Sequence, residues 1–276
     1  MKIEKLTPKE IEKMSYTDFI SLIREENRPP GGKKTVREFL LNSFINSKSK
    51  ILEVGCTNGF TTLEVSRLIG CKSYGVDINK NSLDNAKRRE NSKKAKFLYG
   101  NAYNLPFKKN YFDLVICSNA TSFMDDKKKA VSEYKRVVKH WGFIAVSPMY
   151  YLSNPPKRVV NNVSKIIGSK IDIKSKEDWL RLFQEKNLEI YYLNDYKFSF
   201  KSNSEIENYV NKSLDKKYLK NLSELTFNKI KSRWRETMGI FNENLSYVGY
   251  SVILLRKRNE IEEIELFDSF KKENDK

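Results

Sequence analysis

Two acidic residues and a loop bounded by glycines carry the chemistry legible in this sequence. The segment Ile51-Leu52-Glu53-Val54-Gly55-Cys56-Thr57-Asn58-Gly59-Phe60-Thr61 leads from an apolar stretch through that loop into a helical pattern. Glycine lets a backbone turn sharply and lets a ligand approach it closely. Many nucleotide-binding folds share such a loop, so the acids have to narrow the choice. Glu53 stands two positions before Gly55, under the loop. A dinucleotide would put its anionic pyrophosphate there, and a carboxylate repels it. The third glycine of the G-x-G-x-x-G fingerprint is also missing. A cationic sulfonium next to a zwitterionic amino acid suits the place better, which points to S-adenosylmethionine. Asp77 follows Gly59 by 18 residues, about where an acidic side chain reaches ribose hydroxyls. Each acid also has a plainer reading, Glu53 as a buried structural carboxylate and Asp77 as a helix cap.

Holding these groups requires strands that end at the loop and helices that begin there. From Lys50 the pattern alternates accordingly. Strands are expected over 51–54, 72–76, 95–99, 112–117 and 143–146, with helices over 61–69, 82–90 and 126–138. Unbroken apolar strand runs such as Leu114-Val115-Ile116 imply a parallel sheet covered on both faces. Ahead of it, 8–27 reads as one helix, broken by Arg28-Pro29-Pro30-Gly31-Gly32. Thr35 with Glu38 looks like a capping box. Beyond the fifth strand, helices are expected over 153–167 and 176–185 and extended segments over 188–193 and 196–200. A second capping box is read at Ser204 and Glu207, opening a helical stretch to about Asn244, and 247–255 reads as a buried last strand. The charged tail beyond Arg256 is expected to be frayed or loosely helical.

Several further motifs fall in order at sensible spacing. Gly100-Asn101-Ala102-x-x-Leu105-Pro106-Phe107 follows the third strand, Phe112-Asp113-Leu114-Val115 forms the fourth, and Glu133-x-x-Arg136-Val137-Val138-Lys139 ends the next helix. Together with Glu53-x-Gly55-x-x-x-Gly59 and Asp77, they resemble the class I S-adenosylmethionine-dependent methyltransferases. The likeness is greatest to the group of ubiquinone/menaquinone C-methyltransferases and many small-molecule methyltransferases, over about residues 48–150. The resemblance implies a Rossmann-like three-layer α/β/α sheet, mostly parallel with an antiparallel last strand. It implies a donor held by Glu53, Gly55, Cys56, Thr57, Gly59, Asp77, Ile78, Asn101, Ala102 and Ser118. Thr57 stands where the family commonly has a glycine, and Asn101 where it has an acid facing the adenine. His140-Trp141 replaces Pro-Gly in the turn before the fifth strand, on the side of the sheet away from the ligand, so His140 reads as a surface-turn residue.

The expected organisation is an N-terminal helical cap over 1–34, the donor-binding domain over 35–200, and a helical insertion over 201–245. The final strand over 246–258 and the charged tail over 259–276 complete it. The resemblance implies that the N-terminal segment and the insertion fold over the donor as a lid. Arg28, Asn119, Met149, Tyr150 and Arg235 are candidates for acceptor binding. Asp125-Asp126 reads as a helix cap, and Arg233-Trp234-Arg235-Glu236 either as a solvated helix face or as part of the lid. With no histidine well placed, Tyr150, Tyr151 and Glu236 are the candidate bases. Amines and thiolates need no base once neutral or ionised, whereas carbon and hydroxyl acceptors usually need help. The expected reaction is therefore N- or O-methylation of a small molecule.

Composition sets the outer limits. The formal charge is +17, but lysine outnumbers arginine by 39 to 13, a bias that looks like AT-rich coding sequence rather than a phosphate-binding face. A macromolecular methyltransferase using that charge on RNA or protein is the main rival, and a non-catalytic methyltransferase-like binding module is another. Cys56, Cys71 and Cys117 have no CxxC spacing, so neither a disulfide framework nor a metal site is expected. No apolar run approaches the roughly 18 residues of a membrane span. Met1-Lys2-Ile3-Glu4-Lys5 lacks the apolar core of a signal peptide. A cytoplasmic protein without membrane partners is the expectation.

Overall fold

The apolar runs become the middle of one sheet in the computed structural model, which describes residues 6–90, 93–171, 175–184 and 187–258. The strands are β1 (Lys50–Val54), β2 (Lys72–Asp77), β3 (Ala95–Tyr99), β4 (Phe112–Cys117), β5 (Val138–Val146), β6 (Met149–Tyr151), β7 (Leu188–Lys197) and β8 (Val248–Lys257). β3, β2, β1, β4 and β5 lie side by side in that order and are parallel. β8 runs antiparallel between β5 and β7. β6 prolongs β5 along the same edge of β8, past the interruption at Ser147-Pro148. The sheet is thus mostly parallel with β8 reversed, as the resemblance implies. Among the described residues no helix is long and apolar enough to cross a membrane.

Helices close both faces and add a cap. α1 (Pro8–Lys13) and α2 (Tyr16–Leu22) precede the sheet. α3 (Lys33–Leu41), α4 (Phe60–Ile69) and α5 (Lys80–Arg89) cover one face, burying Val36, Phe39, Val65, Leu83 and Ala86 against it. α6 (Lys127–Val137), followed by α7 (Lys157–Ile167) and α8 (Lys176–Phe183), begins the other side. There α6 and α8 bury Val131, Tyr134, Trp179 and Phe183. α9 (Asn203–Leu214) and α10 (Glu224–Leu245) stand between β7 and β8 in the chain and pack with α1 and α2 around a separate core. Phe19 and Ile23 from the front of the chain there meet Val210, Leu214, Ile230 and Trp234. Segments about 200 residues apart in sequence therefore share one apolar cluster, because neither buries its apolar stripe alone.

Several local expectations are corrected. Residues 8–27 are not one helix. Met14 is extended, and Ser15 caps α2 by accepting the Asp18 N–H. Arg24 and Asn27 take left-handed φ angles of 49° and 48°, which end the helical path. The capping box at Thr35 and Glu38 does not form. α3 starts at Lys33 behind Gly32, and the Thr35 hydroxyl donates to the Pro30 carbonyl at 2.6 Å. Glu38 turns instead to the sheet edge, accepting from the Tyr192 and Tyr196 hydroxyls at 2.8 and 2.9 Å. The second box sits two residues earlier than expected, on Ser202 and Glu205. β7 is continuous where two segments were expected, since β8 pairs along its length. His140 and Trp141 lie within β5, in a bulge between Val138 and Phe143 where Trp141 has φ 62°, and both are exposed. Asp126 does cap α6, accepting the Lys129 N–H at 2.9 Å. The tail beyond Arg258 lies outside the described residues.

The cap core yields a direct test. Trp234 is 1% exposed and donates its indole N–H to the Ser213 hydroxyl at 2.7 Å. Trp234→Ala is expected to cost about 3–5 kcal/mol, seen as an early unfolding transition in urea.

Candidate functional site

The glycine loop is fixed from below by Glu53. This carboxylate is the penultimate residue of β1 and is 7% exposed. It accepts the Thr62 backbone N–H at 2.8 Å and the Thr62 hydroxyl at 2.5 Å, in the first turn of α4. Helix N-termini carry unpaired N–H groups and partial positive charge, so a carboxylate is at home there. Burial works the other way and pushes the Glu53 carboxyl up to about 7, against the lowering effect of the Thr62 and Thr61 bonds.

Asp77 holds the loop from the side. It ends β2 and is 9% exposed. One oxygen accepts the Thr57 N–H at 2.8 Å and the other accepts the Asn79 N–H at 2.8 Å. Burial raises its carboxyl, and these backbone N–H bonds pull it back. Each oxygen keeps capacity for a further donor. The cap of α5 is supplied by Asn79, which accepts the Ser82 N–H at 3.0 Å, so Asp77 is not that cap.

The loop itself is tightly packed. Gly55 and Gly59 have φ angles of 75° and 80°. A Cβ on Gly55 would lie 2.4 Å from Ala120 Cβ, and one on Gly59 would lie 2.8 Å from Ala86 and from the Phe97 ring. The glycines thus serve helix and strand packing beside any ligand approach. Thr57 takes a left-handed φ of 43° where glycine would fit without strain. Its hydroxyl accepts from Asn27 Nδ2 at 3.3 Å. The Cys56 side chain belongs to the core with Leu83 and Phe97, and its thiol is pushed up by burial. All three cysteines are free and buried.

Around the carboxyl ends of the strands the remaining residues divide into two groups. Ile78 is 65% exposed, an apolar shelf directly after Asp77, while Ala102 is buried. The Asn101 side chain accepts the Tyr103 N–H at 2.9 Å and so shapes its own turn. Ser118 and Ser147 follow β4 and β5, and the Ser147 N–H donates to the Ser118 carbonyl at 2.6 Å. Both side-chain hydroxyls are buried without a hydrogen-bond partner, the kind of exception that calls for an explanation. Asn119 Nδ2 contacts Met149 Sδ at 3.4 Å, so these two acceptor candidates meet.

The other acceptor and base candidates stand differently. The Tyr150 hydroxyl bonds Asp195 at 3.2 Å and Ser251 at 3.0 Å, and Lys176 pairs with Asp195. This group borders an open cavity of about 440 Å³. The Tyr151 hydroxyl donates to Asn244 at 2.8 Å. Burial raises both phenols, so they stay protonated near neutral pH. Glu236 is exposed on α10. Arg235 is held by Glu207 on α9 at 2.6 and 2.9 Å, and Arg28 pairs with Glu26. Sequence reasoning missed Asn58, Asn85 and Ser147, and also Trp179, whose indole donates to the Met149 carbonyl at 3.0 Å.

Residues 52–146 match a family model described as a methyltransferase domain. A demethylmenaquinone methyltransferase of Staphylococcus saprophyticus is 30% identical over 178 residues, covering 60% of this chain and 73% of that one. This chain belongs to the class I S-adenosylmethionine-dependent methyltransferases. An uncharacterised protein of Haemophilus influenzae is 29% identical to this chain over 174 residues, 61% of this chain and 69% of that one. The crystal structure of MccD protein superposes with a TM-score of 0.70 at 22% identity, covering 84% of this chain and all of that one, which confirms the fold.

Glu53 gives the site a pH signature. Its native carboxyl titrates at about 7 rather than near 4.5. The folded chain therefore holds an extra proton between those values, and this group's contribution to stability falls as pH rises through that window. Glu53→Gln keeps acceptor capacity for Thr62 without the charge. The ligand-free variant is expected to be at least as stable as the parent at about pH 8 and to lose this component of the pH dependence, read from thermal melts at both ends of the window.

Proposed function

We propose that the methyltransferase moves a methyl group onto a nitrogen or oxygen of a small molecule held between the carboxyl ends of β4 and β5 and the cap. The single observation that carries this reading is the pair of buried acids, Glu53 and Asp77, bracketing the loop 55–59. Asp77 has one backbone N–H on each oxygen and room for ribose hydroxyls. Ile78 is an exposed apolar shelf beside it for an adenine. Glu53, destabilised as an anion by burial, gains from a cation placed over the loop. The Ser118 hydroxyl, buried and unpartnered, suits a polar group of the donor. These residues fit S-adenosylmethionine, with Gly55, Cys56, Thr57 and Gly59 offering backbone and Asn101 and Ala102 closing the adenine end.

When bound, S-adenosylmethionine supplies an electrophilic methyl group and leaves as S-adenosylhomocysteine. The protein's part is to orient the partners and exclude water. Asn119, Met149 and Ser147 stand at the strand ends where an acceptor would face the donor. Burial keeps the Tyr150 and Tyr151 phenols protonated, so neither is a ready base. That favours an acceptor that reaches its nucleophilic form unaided, such as a neutral amine or an acidic hydroxyl. The demethylmenaquinone methyltransferase relative supports a small-molecule acceptor.

Asp77→Asn tests the donor half. Charge-assisted hydrogen bonds are worth about 1.5–3 kcal/mol, so the dissociation constant of S-adenosylmethionine is expected to rise about tenfold to a hundredfold in calorimetry. Equal affinity of parent and variant would remove Asp77 from the site. Absence of binding to the parent would overturn the reading.

A further inference from the structure

The donor loop contains a residue that this reading leaves idle. Asn58 is 0% exposed, and its side chain is engaged entirely outside its own loop. Nδ2 donates to the Glu25 carbonyl at 2.6 Å and to the Ile20 carbonyl at 3.4 Å. Oδ1 accepts from Asn85 Nδ2 at 3.2 Å, and the Asn58 backbone carbonyl accepts from Arg89 at 2.9 Å. Asn85 and Arg89 belong to α5 and grip the same neighbouring segment. Asn85 donates to the Ser21 carbonyl at 2.8 Å, and Arg89 pairs with Glu26 at 3.1 Å. Loop and α5 together hold residues 20–26 from one side.

The insertion holds that segment from the other side. The Tyr218 hydroxyl donates to the Leu22 carbonyl at 2.9 Å. Lys216 Nζ donates to the carbonyls of Ile23 and Arg24 at 2.5 and 3.0 Å, and the Tyr209 hydroxyl donates to Glu25 at 2.7 Å. Between them lie the two left-handed residues, Arg24 and Asn27. Such backbone persists where its surroundings over-determine it. Asn27 then reaches Thr57, itself left-handed, in the donor loop.

We propose that Asn58 is a positioning residue through which the cap and the donor loop are set together. The insertion fixes residues 22–25, that segment fixes Asn58, and Asn58 fixes the backbone of Gly55–Gly59 in the form that receives the donor. The proposal rests on the donor-site reading above. If Asn58 were only a satisfied buried amide, side chains on α9 and the turn after it would have no bearing on donor affinity. Coupling requires that they do, and that donor occupancy tightens the cap in return.

The test uses the full chain and S-adenosylhomocysteine as probe. Calorimetry on Asn58→Ala is expected to give a dissociation constant raised about tenfold. Lys216→Met and Tyr209→Phe, which touch the segment and not the loop, are expected to raise it severalfold. In hydrogen exchange, the probe is expected to slow amides over 203–219 in the parent and to do so less in Lys216→Met. Unchanged affinity in both cap variants, with exchange over 203–219 indifferent to the probe, would overturn the coupling even if Asn58→Ala failed to fold. A parent chain that bound no probe would instead remove the donor-site reading, and this inference with it.

Discussion

A carboxylate buried beneath the first turn of α4 is the constraint from which the glycine loop is built. Glu53 caps the helix through Thr62, and so fixes where α4 starts relative to the end of β1. The five residues between the two must then cross a short gap, which forces left-handed backbone at Gly55, Thr57 and Gly59. That backbone aims the Thr57 N–H at Asp77. Each acid thus answers to the other through the same loop. The site is expensive to hold without a ligand, since two carboxylates are desolvated there, and a positively charged ligand would offset part of that cost.

The cap meets this loop through the segment 20–27, where Asn58 donates to the Glu25 carbonyl and Asn27 donates to Thr57. Its core is assembled from the front of the chain and from the insertion before β8. It reaches the sheet through polar contacts concentrated at the strand ends, as with Asn79 Nδ2 donating to Asp18 at 3.1 Å. Apolar burial holds the cap together, and directional bonds join it to the loop and to α5. Directional bonds are individually modest in net stability, which lets a unit with a firm core of its own be positioned by a small number of side chains.

The sheet was legible because its signals are local and repeated. Leu114-Val115-Ile116 reads as a strand buried on both faces, without knowledge of anything distant. The order of the motifs then singled out Glu53 and Asp77, which the structure places on either side of the loop 55–59. What escaped was set by partners far away in sequence. Glu38 looks like a capping residue until Tyr192 and Tyr196 arrive from the sheet edge and claim it. Helical periodicity over 8–27 gave no warning of the break at Met14, because both short helices present apolar residues to the same cap core. Asn58 is one polar residue in a polar loop, and only its contacts with Ile20, Glu25 and Asn85 set it apart. Arg235 had the right chemistry for an acceptor, but Glu207 occupies it.

The reversed strand has a consequence for the order in which the molecule is assembled. β8 is inserted between β5 and β7 and is the last of the described strands along the chain. Until it arrives, β5 and β7 must stand apart by about two strand spacings, roughly 10 Å, with their inner edges unpaired. Meanwhile α9 and α10, made earlier, already carry the apolar stripe that seeks α1 and α2. A nascent chain can therefore form the first five strands and begin its cap while the sheet still has a slot in it. Pairing across so much intervening sequence is slow, and an open strand edge is a template for another chain. The vulnerable interval of this fold is the one before β8 pairs, when the first five strands are in place and the slot between β5 and β7 is still open.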